Sequence, residues 1–256
     1  FGTILKLGSG LYTQQLRPRY FDYFMGAGHG NRNGLKQTRI LSSSAGFEQR
    51  FTREIYIDMT GFYRQLSNRL VADQDPTVRF KSTGEGEAWG GEFLVRYDPD
   101  ARYFGWVSYG FTRARFKDSI ESFERRGDYD QTHNLSTVAG VKVTPQLSLN
   151  ARWRFISGSP FSALPIQTFD SDLGQESFAY SPINTTRYSA FHQLDLRLDY
   201  RWVFKEWSLL SYLQVNNAYD HRVSEIPHPL EGLNSEAPSV LQSWPLWVSI
   251  GLRAGF

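Results

Sequence analysis

The stretch 244–256 alternates between apolar and small or polar residues along its whole length. One set of alternate positions is entirely apolar, and it consists of Trp244, Leu246, Val248, Ile250, Leu252, Ala254 and Phe256. The intervening set, from Pro245 to Gly255, is mostly small or polar. A period of two indicates a β-strand with one apolar face. Strands of soluble proteins usually have roughly 5–6 residues, whereas roughly 9–11 tilted residues cross a bilayer core. This strand therefore has the length of a membrane-spanning strand.

Nine other segments show the same period of two, four of them clearly. The clear segments are Ile55–Tyr63, Trp89–Tyr97, Leu147–Phe155 and Gln193–Trp202. The weaker segments are Thr3–Thr13, Leu41–Phe51, Tyr103–Arg115, His133–Val143 and Trp207–Ala218. In one clear example, Leu194, Leu196 and Leu198 alternate with polar or charged neighbours. No long window has apolar residues at helical spacing, so the sequence predicts an all-β fold of about ten strands.

The connections between these segments alternate between short and long. Short turns are predicted near Thr52-Arg53, Asp98–Ala101, Thr144–Gln146 and Phe204–Glu206. Long polar connections are predicted at 15–38, 68–86, 117–131, 158–188 and 220–243. Outer-membrane β-barrels have short turns on the periplasmic side and longer loops outside, because successive hairpins open on opposite sides of the bilayer. The alternation therefore predicts a transmembrane antiparallel β-barrel.

The composition agrees with a barrel and excludes several other classes. Aromatic residues make up 16% of the chain, and membrane interfaces favour such side chains. The mean hydropathy is −0.45, and no run approaches the roughly 18 apolar residues of a membrane helix. The net charge of +2 gives no argument for nucleic acid as a partner. There is no cysteine, so neither disulfides nor thiolate metal sites can form, and we expect no cofactor.

The two faces of the predicted strands differ in chemistry. Aromatic side chains lie at both ends of the apolar faces, and this predicts two aromatic girdles. One girdle, beside the short turns, consists of Phe51, Tyr97, Trp202, Trp207 and Phe256, and the other, beside the long loops, consists of Tyr63, Phe155 and Trp244. The opposite face carries charges, namely Glu48, Arg50, Glu92, Arg96, Arg152, Arg154, Asp195, Arg197, Asp199 and Arg201. Charges at this density need water or one another, so they predict a polar lumen in which the charges pair across strands or pack against a polar plug.

Five segments occur in a characteristic order, namely Gly84–Tyr97, Gly105–Tyr109, Asp128–His133, Gln193–Arg197 and Leu213–Asp220, followed by the terminal Phe256. Each segment resembles a recurring part of TonB-dependent outer-membrane receptors, in the order of that family. The resemblance covers nearly the whole chain. It implies a barrel of 22 strands, an N-terminal plug and a peptide that contacts TonB.

Ten strands without a plug would be the C-terminal part of such a barrel, so residues 1–256 are interpreted as one C-terminal barrel portion. The start at Phe1 lies as though inside a strand, and we expect a longer precursor or a companion chain that supplies the plug, the early strands and the contact with TonB. A closed barrel of about ten strands is the alternative, because even strand numbers from eight upward occur.

The first long connection contains aromatic side chains interspersed with arginine. Arg19, Tyr20, Phe21 and Tyr23 could bind a ligand outside the membrane through stacking and charge. Alternatively, they form part of the outer girdle or cover the barrel mouth against neighbouring loops. His221 and His228 lie in one predicted loop and could join the same ligand site, although solvated histidines are the alternative.

Acidic side chains in loops give a weaker signal. Asp73, Asp75, Asp128 and Asp130 have the oxygen ligands that calcium prefers, but aspartate is also a common turn former, and we predict no metal site.

The last strand resembles the C-terminal targeting strand of outer-membrane barrels. By this resemblance, Ser249, Gly251, Ala254 and Phe256 would contact the barrel-assembly machinery; the alternative is a role in packing alone.

No set of residues suggests bond-making chemistry, so we expect no enzyme. The resemblance implies energy-coupled uptake, across the bacterial outer membrane, of a scarce ligand such as a metal chelate, a vitamin or a glycan. The alternatives are a scaffold barrel within a larger envelope complex without transport, and a soluble carbohydrate-binding sandwich, which the rows of apolar side chains disfavour.

Overall fold

The structure is a computed structural model, and it describes residues 2–15, 35–72, 80–97, 102–118, 124–161, 166–170, 175–179, 184–227 and 240–256. These residues form seventeen strands and no helix. None of them belongs to a helix with the length and apolar character needed to cross a membrane.

In chain order the strands are β1 (Thr3–Gln14), β2 (Thr38–Arg50), β3 (Ile55–Ala72), β4 (Phe80–Tyr97), β5 (Tyr103–Lys117), β6 (Glu124–Arg126), β7 (His133–Lys142), β8 (Leu147–Ile156), β9 (Pro160–Phe161), β10 (Ile166–Asp170), β11 (Gln175–Ala179), β12 (Thr186–Arg187), β13 (Phe191–Val203), β14 (Ser208–Asn216), β15 (Ser224–Pro227), β16 (Val240–Gln242) and β17 (Trp247–Gly255).

Ten long strands form one antiparallel sheet in the order β1-β2-β3-β4-β5-β7-β8-β13-β14-β17. β6 pairs with β5 beside this path, and three small two-stranded sheets lie in the long connections. Each long strand pairs with the next long strand along the chain, which is the meander of an up-and-down barrel. The all-β prediction and the ten predicted strands are confirmed.

β1 and β17 are the two edges of this sheet and do not pair with each other in the described residues. The alternative of a closed barrel of ten strands is therefore wrong for the described sheet. Closing it needs further strands, since an open edge in lipid leaves backbone groups without hydrogen bonds.

The strand register gathers the apolar side chains on one face of the sheet. Residues directly opposite each other in neighbouring strands point to the same side. Leu198 lies opposite Leu213, and Leu213 lies opposite Ile250. Asp195 lies opposite Arg152 on the other side of the sheet. We call these two sides the apolar face and the polar face.

The apolar face is exposed rather than packed against protein. Ile250 is 76% exposed and Leu252 is 70% exposed. In the described part of the chain, Val71 and Val223 are the only buried hydrophobic residues. A soluble sandwich would bury these rows between two sheets, so the sandwich hypothesis is wrong, and the exposed rows fit contact with lipid.

The connection predicted at 68–86 is shorter than expected. β3 continues to Ala72 and β4 begins at Phe80, so most of this segment belongs to strands. Beyond Tyr63 and Trp89 the apolar alternation ends while backbone pairing continues, with register shifts after Leu66. Side chains that meet water on both faces give no period of two, and the pattern therefore missed the extension.

Short strands also occur inside connections that the sequence left without structure. β6 lies in 117–131, β9 to β12 lie in 158–188, and β15 and β16 lie in 220–243. The turns at 51–54, 143–146 and 204–207 confirm three predicted short connections. The fourth, at Asp98–Ala101, lies outside the described residues. We call the two ends of the sheet the short-turn end and the long-loop end.

Candidate functional site

A pocket of about 610 Å³ opens on the polar face at the long-loop end. Its lining includes Asp128, Arg154, Ser157, Phe161, Tyr188 and Phe191. Arg154 and Phe191 come from β8 and β13, whose register places both on the polar face. Ile156 at the end of β8 also lines the pocket, and the other lining residues come from the long connections, so the pocket forms where loops meet the mouth of the sheet.

Aromatic rings supply one wall of the pocket. The rings of Phe161 and Tyr188 stack with their centroids 4.3 Å apart and an interplanar angle of 20°. Pairing of β9 with β12 holds them, and the Tyr188 N–H donates to the Ser159 carbonyl at 3.0 Å. Gly158 permits this approach, because a Cβ there would lie 1.8 Å from the Tyr188 carbonyl oxygen. Burial raises the pKa of Tyr188, so the phenol is neutral at physiological pH.

Arg154 supplies the positive charge of the pocket. Its guanidinium lies 5.5 Å from the centroid of the Phe191 ring. Its Nε is buried and has no hydrogen-bond acceptor among the described residues. A buried donor without a partner is costly. An acceptor on a ligand, above all a charged oxygen, would therefore bind here favourably.

Arg187 ties the loops around the pocket together. Its Nη1 donates to the carbonyls of Asp130 and Gly158, at 2.5 Å and 2.9 Å. Its Nη2 donates to the Asp130 carboxylate at 2.9 Å and to the Thr132 hydroxyl at 3.0 Å. Asp130 is only 4% exposed, so this ion pair is largely shielded from water. One side chain thus connects β12 to the segments before β7 and after β8.

A second ionic cluster lies beside it. Arg125 binds Asp118 at 2.5 Å and Asp128 at 2.9 Å, and Asn184 donates to Asp128 at 2.7 Å. Burial opposes the charge of Arg125, but its hydrogen bonds and attraction to Asp118 and Asp128 raise its pKa. Asp128 and Asp130, which the sequence offered as oxygen ligands, are thus engaged by arginines. No cluster able to hold a metal ion occurs in the described residues.

The residues predicted to bind a ligand are mostly outside the described part. Arg19, Tyr20, Phe21, Tyr23 and His228 lie there, as do Asp73 and Asp75, and the hypothesis about them stays a prediction. His221 is described, and its ring stacks on His192 with centroids 3.6 Å apart. His192 lies opposite Phe155 on the apolar face. His221 therefore packs on the side of the sheet that faces away from the pocket.

The turn 217–223 is bound to β13 and to the segment before β17 at the long-loop end. Asn217 is 2% exposed and has a φ of 52°, a conformation that asparagine tolerates better than most residues. Its side-chain amide donates to the carbonyls of His221 and Trp244, at 2.9 Å and 3.1 Å. Its own N–H donates to Asp195 at 3.0 Å. The turn is thereby fixed to β13 and to the segment before β17.

These bonds explain why β17 begins at Trp247, later than the predicted start at Trp244. The Trp244 carbonyl accepts from Asn217, Pro245 has no N–H, and the Leu246 N–H donates to Asp220 at 2.8 Å. The backbone of 244–246 is thus bound to the turn and cannot continue the ladder. The prediction that the strand spans 244–256 is wrong at its first three residues.

The four residues of the predicted assembly signal lie on both faces of β17 and beyond it. Ser249 and Gly251 lie opposite Gln214 and Tyr212 on the polar face, and Ala254 lies opposite Leu209 on the apolar face. Phe256 is fully exposed, with its ring 6.3 Å from that of Trp207. Gly251 also has a packing role, because a Cβ there would lie 2.3 Å from the Tyr212 ring.

Sequence reasoning missed Phe161, Tyr188 and Arg187 as site residues. They lie in 158–188, which has no periodic pattern, and their approach depends on two-residue pairing between β9 and β12. The only signal in the sequence was the presence of aromatic side chains in an otherwise polar connection. Arg154 was expected on the polar face, but its place in a pocket depends on the loops.

A family model described as TonB-dependent receptor-like, β-barrel, matches residues 7–218, which is most of the chain. No curated protein sequence matches the chain.

Solved structures share the fold at low sequence identity. The ferric-catecholate import receptor Fiu of E. coli K12 superposes with a TM-score of 0.66 at 17% identity, over 98% of this chain and 32% of that one. The FrpB iron transporter of Neisseria meningitidis superposes with a TM-score of 0.68 at 14% sequence identity, over 98% of this chain and 36% of that one. The ferripyoverdine receptor of the outer membrane of Pseudomonas aeruginosa superposes with a TM-score of 0.65 at 11% sequence identity, over 98% of this chain and 30% of that one. The chain spans about a third of the length of these proteins.

Proposed function

The chain belongs to the TonB-dependent receptor-like β-barrel family of the bacterial outer membrane, and from this premise we propose that it is the barrel portion of an energy-coupled importer. Its cargo would be a scarce ligand, such as a metal chelate, a vitamin or a glycan. Proteins of this family are transporters and not enzymes. The match of the family model to residues 7–218 carries the proposal.

The rest of the importer would come from outside this chain. The ten long strands have two open edges, and about a third of each structural neighbour is represented here. We propose that a preceding segment or a companion chain supplies the remaining strands, the plug and the contact with TonB. Energy coupling would act through that part, while residues 1–256 supply the wall.

The pocket at the long-loop end is the proposed site of first contact with the ligand. It would face the outside, because long connections of such barrels lie there. The unpartnered Nε–H of Arg154 would bind an oxygen acceptor, and the stacked rings of Phe161 and Tyr188 would cover a flat or apolar part of the ligand. Arg187 would hold the loops in place without touching the ligand.

Uptake by living cells tests the proposal. Cells that have the gene, lack the gene, or have the gene but lack TonB would be given a ferric catecholate complex, cobalamin or an oligosaccharide. Iron complexes come first, because the three structural neighbours are named as iron receptors or transporters. We expect one class to accumulate only when both the gene and TonB are present. Unchanged accumulation of all classes, with co-purifying envelope proteins, would support the scaffold alternative.

The pocket itself is tested by Arg154→Ala. Loss of a charged hydrogen bond of about 1.5–3 kcal/mol predicts binding that is at least about tenfold weaker. The control is Arg113→Ala, which removes an arginine that lies opposite Trp89 on the apolar face. Both variants are made in the complete receptor, and titration in detergent with the complex that the uptake experiment identifies measures the effect. Equal affinities for the two variants would exclude the pocket as the binding site.

We further propose that Ser249, Gly251, Ala254 and Phe256 are contacted during assembly. The full exposure of Phe256 supports this, since its ring is available to another protein. Phe256→Ala is expected to reduce the amount of folded receptor in the outer membrane. Trp207→Ala is the matched control, because it removes the ring nearest to Phe256. If both variants reduce assembly equally, Phe256 acts through packing alone.

A further inference from the structure

The outward side of β5, which continues its apolar face, changes from aromatic to basic side chains at the long-loop end. The ring of Phe111 lies 5.3 Å from that of Trp89 on β4 and 5.5 Å from that of His133 on β7. A row of such rings marks the boundary between hydrocarbon and headgroups. The next three outward positions on β5 are exposed cations, namely Arg113, Arg115 and Lys117. Positive charge therefore begins directly beyond the row of rings.

β6 adds a further arginine to this outward side. Arg126 lies directly opposite Arg115 and is exposed. Arg113 is the diagonal neighbour of Arg126, and diagonal neighbours lie about 7–8 Å apart. The side-chain amide of Asn184 donates to the Arg126 carbonyl at 2.9 Å, which fixes the position of β6. We call Arg113, Arg115 and Arg126 the outer arginine cluster.

Carboxylates on the outward side lie next to Arg115 and Lys117. Glu124 binds Arg115 at 3.3 Å. Glu87 lies opposite Arg115 across the ladder, and Glu85 lies opposite Lys117. Negative charge from this chain therefore compensates these two cations.

Arg113 and Arg126 have no carboxylate directly opposite them in the described ladders. Arg113 lies opposite Trp89, and its guanidinium is 6.0 Å from the centroid of the Phe111 ring. Neither Arg113 nor Arg126 forms an ion pair with another described residue. Like charges that face each other destabilise a sheet, as Arg115 and Arg126 do here. An anion that contacts the cluster would remove this repulsion.

The depth of the cluster matches the layer of lipid headgroups. Headgroups add roughly 5–8 Å on each side of the hydrocarbon core. In a strand tilted by about 45°, Arg113 and Arg115 stand roughly 5 Å and roughly 9 Å beyond Phe111, at about 3.3 Å per residue. The alternate residues Ala114 and Phe116 point to the opposite side of the sheet. A lipid beside the barrel therefore reaches the cluster, whereas a ligand inside the barrel does not.

We propose that the outer arginine cluster binds a phosphate group on the headgroup of an outer-leaflet lipid. Guanidinium groups donate pairs of hydrogen bonds to phosphate oxygens. One phosphate would bridge Arg113 and Arg126, and Arg115 between them would add a third donor group. The acyl chains of the same lipid would lie against the exposed rings of Trp89 and Phe111, which a free phosphate ion would leave uncovered. The proposal concerns the lipid around the barrel and not the imported cargo, so it goes beyond the proposed function.

The test uses the complete receptor, purified in detergent and stripped of lipid. The variant combines Arg113→Gln and Arg126→Gln. The control is Arg39→Gln, which removes an exposed outward arginine on β2 that lies opposite Thr13 and Ser67 and has no cation opposite it. The probes are lipopolysaccharide with intact phosphates, the same lipopolysaccharide after enzymatic removal of its phosphates, and inorganic phosphate. Native mass spectrometry during titration measures binding, and heat-modifiable migration on gels confirms that each barrel is folded.

Intact lipopolysaccharide is expected to bind the double variant at least about tenfold more weakly than the unchanged receptor, because two charged hydrogen-bond donors are lost. Arg39→Gln should bind it as the unchanged receptor does, and dephosphorylated lipid should bind the unchanged receptor and the double variant equally weakly. Equal binding by the folded double variant and the control would overturn the proposal, as would binding that does not depend on the phosphates. Inorganic phosphate that competes as strongly as the lipid would show a free-ion site and would overturn it too. None of these measurements uses the imported ligand, so failure of the uptake experiment leaves the result separate.

Discussion

Gly251, Tyr212 and Arg197 form a stack on the polar face of β17, β14 and β13. The Tyr212 ring covers the position where a side chain of residue 251 would stand. The Arg197 guanidinium lies 3.9 Å from the centroid of the same ring, a cation–π contact. Glycine weakens a strand interior unless another group approaches closely. At this position the close approach of the Tyr212 ring is a packing reason for the glycine.

Gly251→Ala is expected to destabilise the barrel by about 1–3 kcal/mol, the usual cost of overpacking. The new methyl group would displace the Tyr212 ring and weaken its contact with Arg197. Gly255→Ala is the matched control on the same face of β17, because its Cβ would lie 3.5 Å from Ser208 Oγ, an ordinary contact. Thermal loss of heat-modifiable migration measures both variants. Equal stability would show that the stack contributes nothing.

A hydrogen bond between Asp195 and Asn217 connects the family segments Gln193–Arg197 and Leu213–Asp220. Asp195 accepts the N–H of Asn217 and also binds Arg152. The sequence showed both segments but gave no reason for their polar residues. The structure supplies one: buried Asn217 fixes the turn after β14, and Asp195 orients it.

At the scale of elements, the connection from β14 to β17 depends on Asp220. Its carboxylate accepts from Arg222 at 3.0 Å and from the Leu246 N–H at 2.8 Å. The hydrogen bond from Arg222, followed by that from Leu246, lowers the pKa of Asp220 below its ordinary value of 3.8. A lowered folded-state pKa means that the ionised form stabilises this connection.

The contribution of Asp220 is therefore fully present above about pH 4 and is lost as the pH falls through the lowered pKa. Asp220→Asn should remove this pH dependence while keeping an acceptor for Leu246. Amide hydrogen exchange of residues 243–246 measures how strongly the connection is held. The native protein and the Asp220→Asn variant are compared at each of several pH values between about 6 and about 3. If acid changes both proteins alike, Asp220 is not the responsible group.

The extension of β3 and β4 shows that side-chain periodicity does not predict where every strand ends. Within the bilayer each strand has one side towards lipid, and the apolar alternation predicted these parts correctly. Beyond Tyr63 and Trp89 that requirement ends, yet the two strands stay paired to Ala72 and Phe80. Pairing by backbone hydrogen bonds leaves no mark on side-chain periodicity.

At the scale of the whole molecule, the feature with the largest consequence for folding is the pair of open edges of the sheet. β1 and β17 each pair on one side only within the described sheet. In lipid, each backbone group without a hydrogen bond costs several kcal/mol, and a row of them cannot be tolerated.

Residues 1–256 expressed alone are therefore expected not to form a compact, heat-modifiable monomer in detergent. Aggregates or edge-to-edge oligomers should form instead. Co-expression with the preceding part of the receptor, or with a companion chain, should restore the folded species. Gel migration and light scattering measure the outcome, and a compact monomer from the isolated chain would contradict it.

The sequence by itself determined the number of long strands, the faces of those strands and the membrane as their surroundings. It could do so because lipid on one side and a polar lumen on the other impose a period of two on every spanning segment. The tertiary structure alone decided the open edges, the pocket of Arg154 with Phe161 and Tyr188, and the late start of β17. These features depend on contacts between residues far apart in the chain, such as Arg187 with Asp130 and Asn217 with Trp244. Local periodicity contains no information about such contacts.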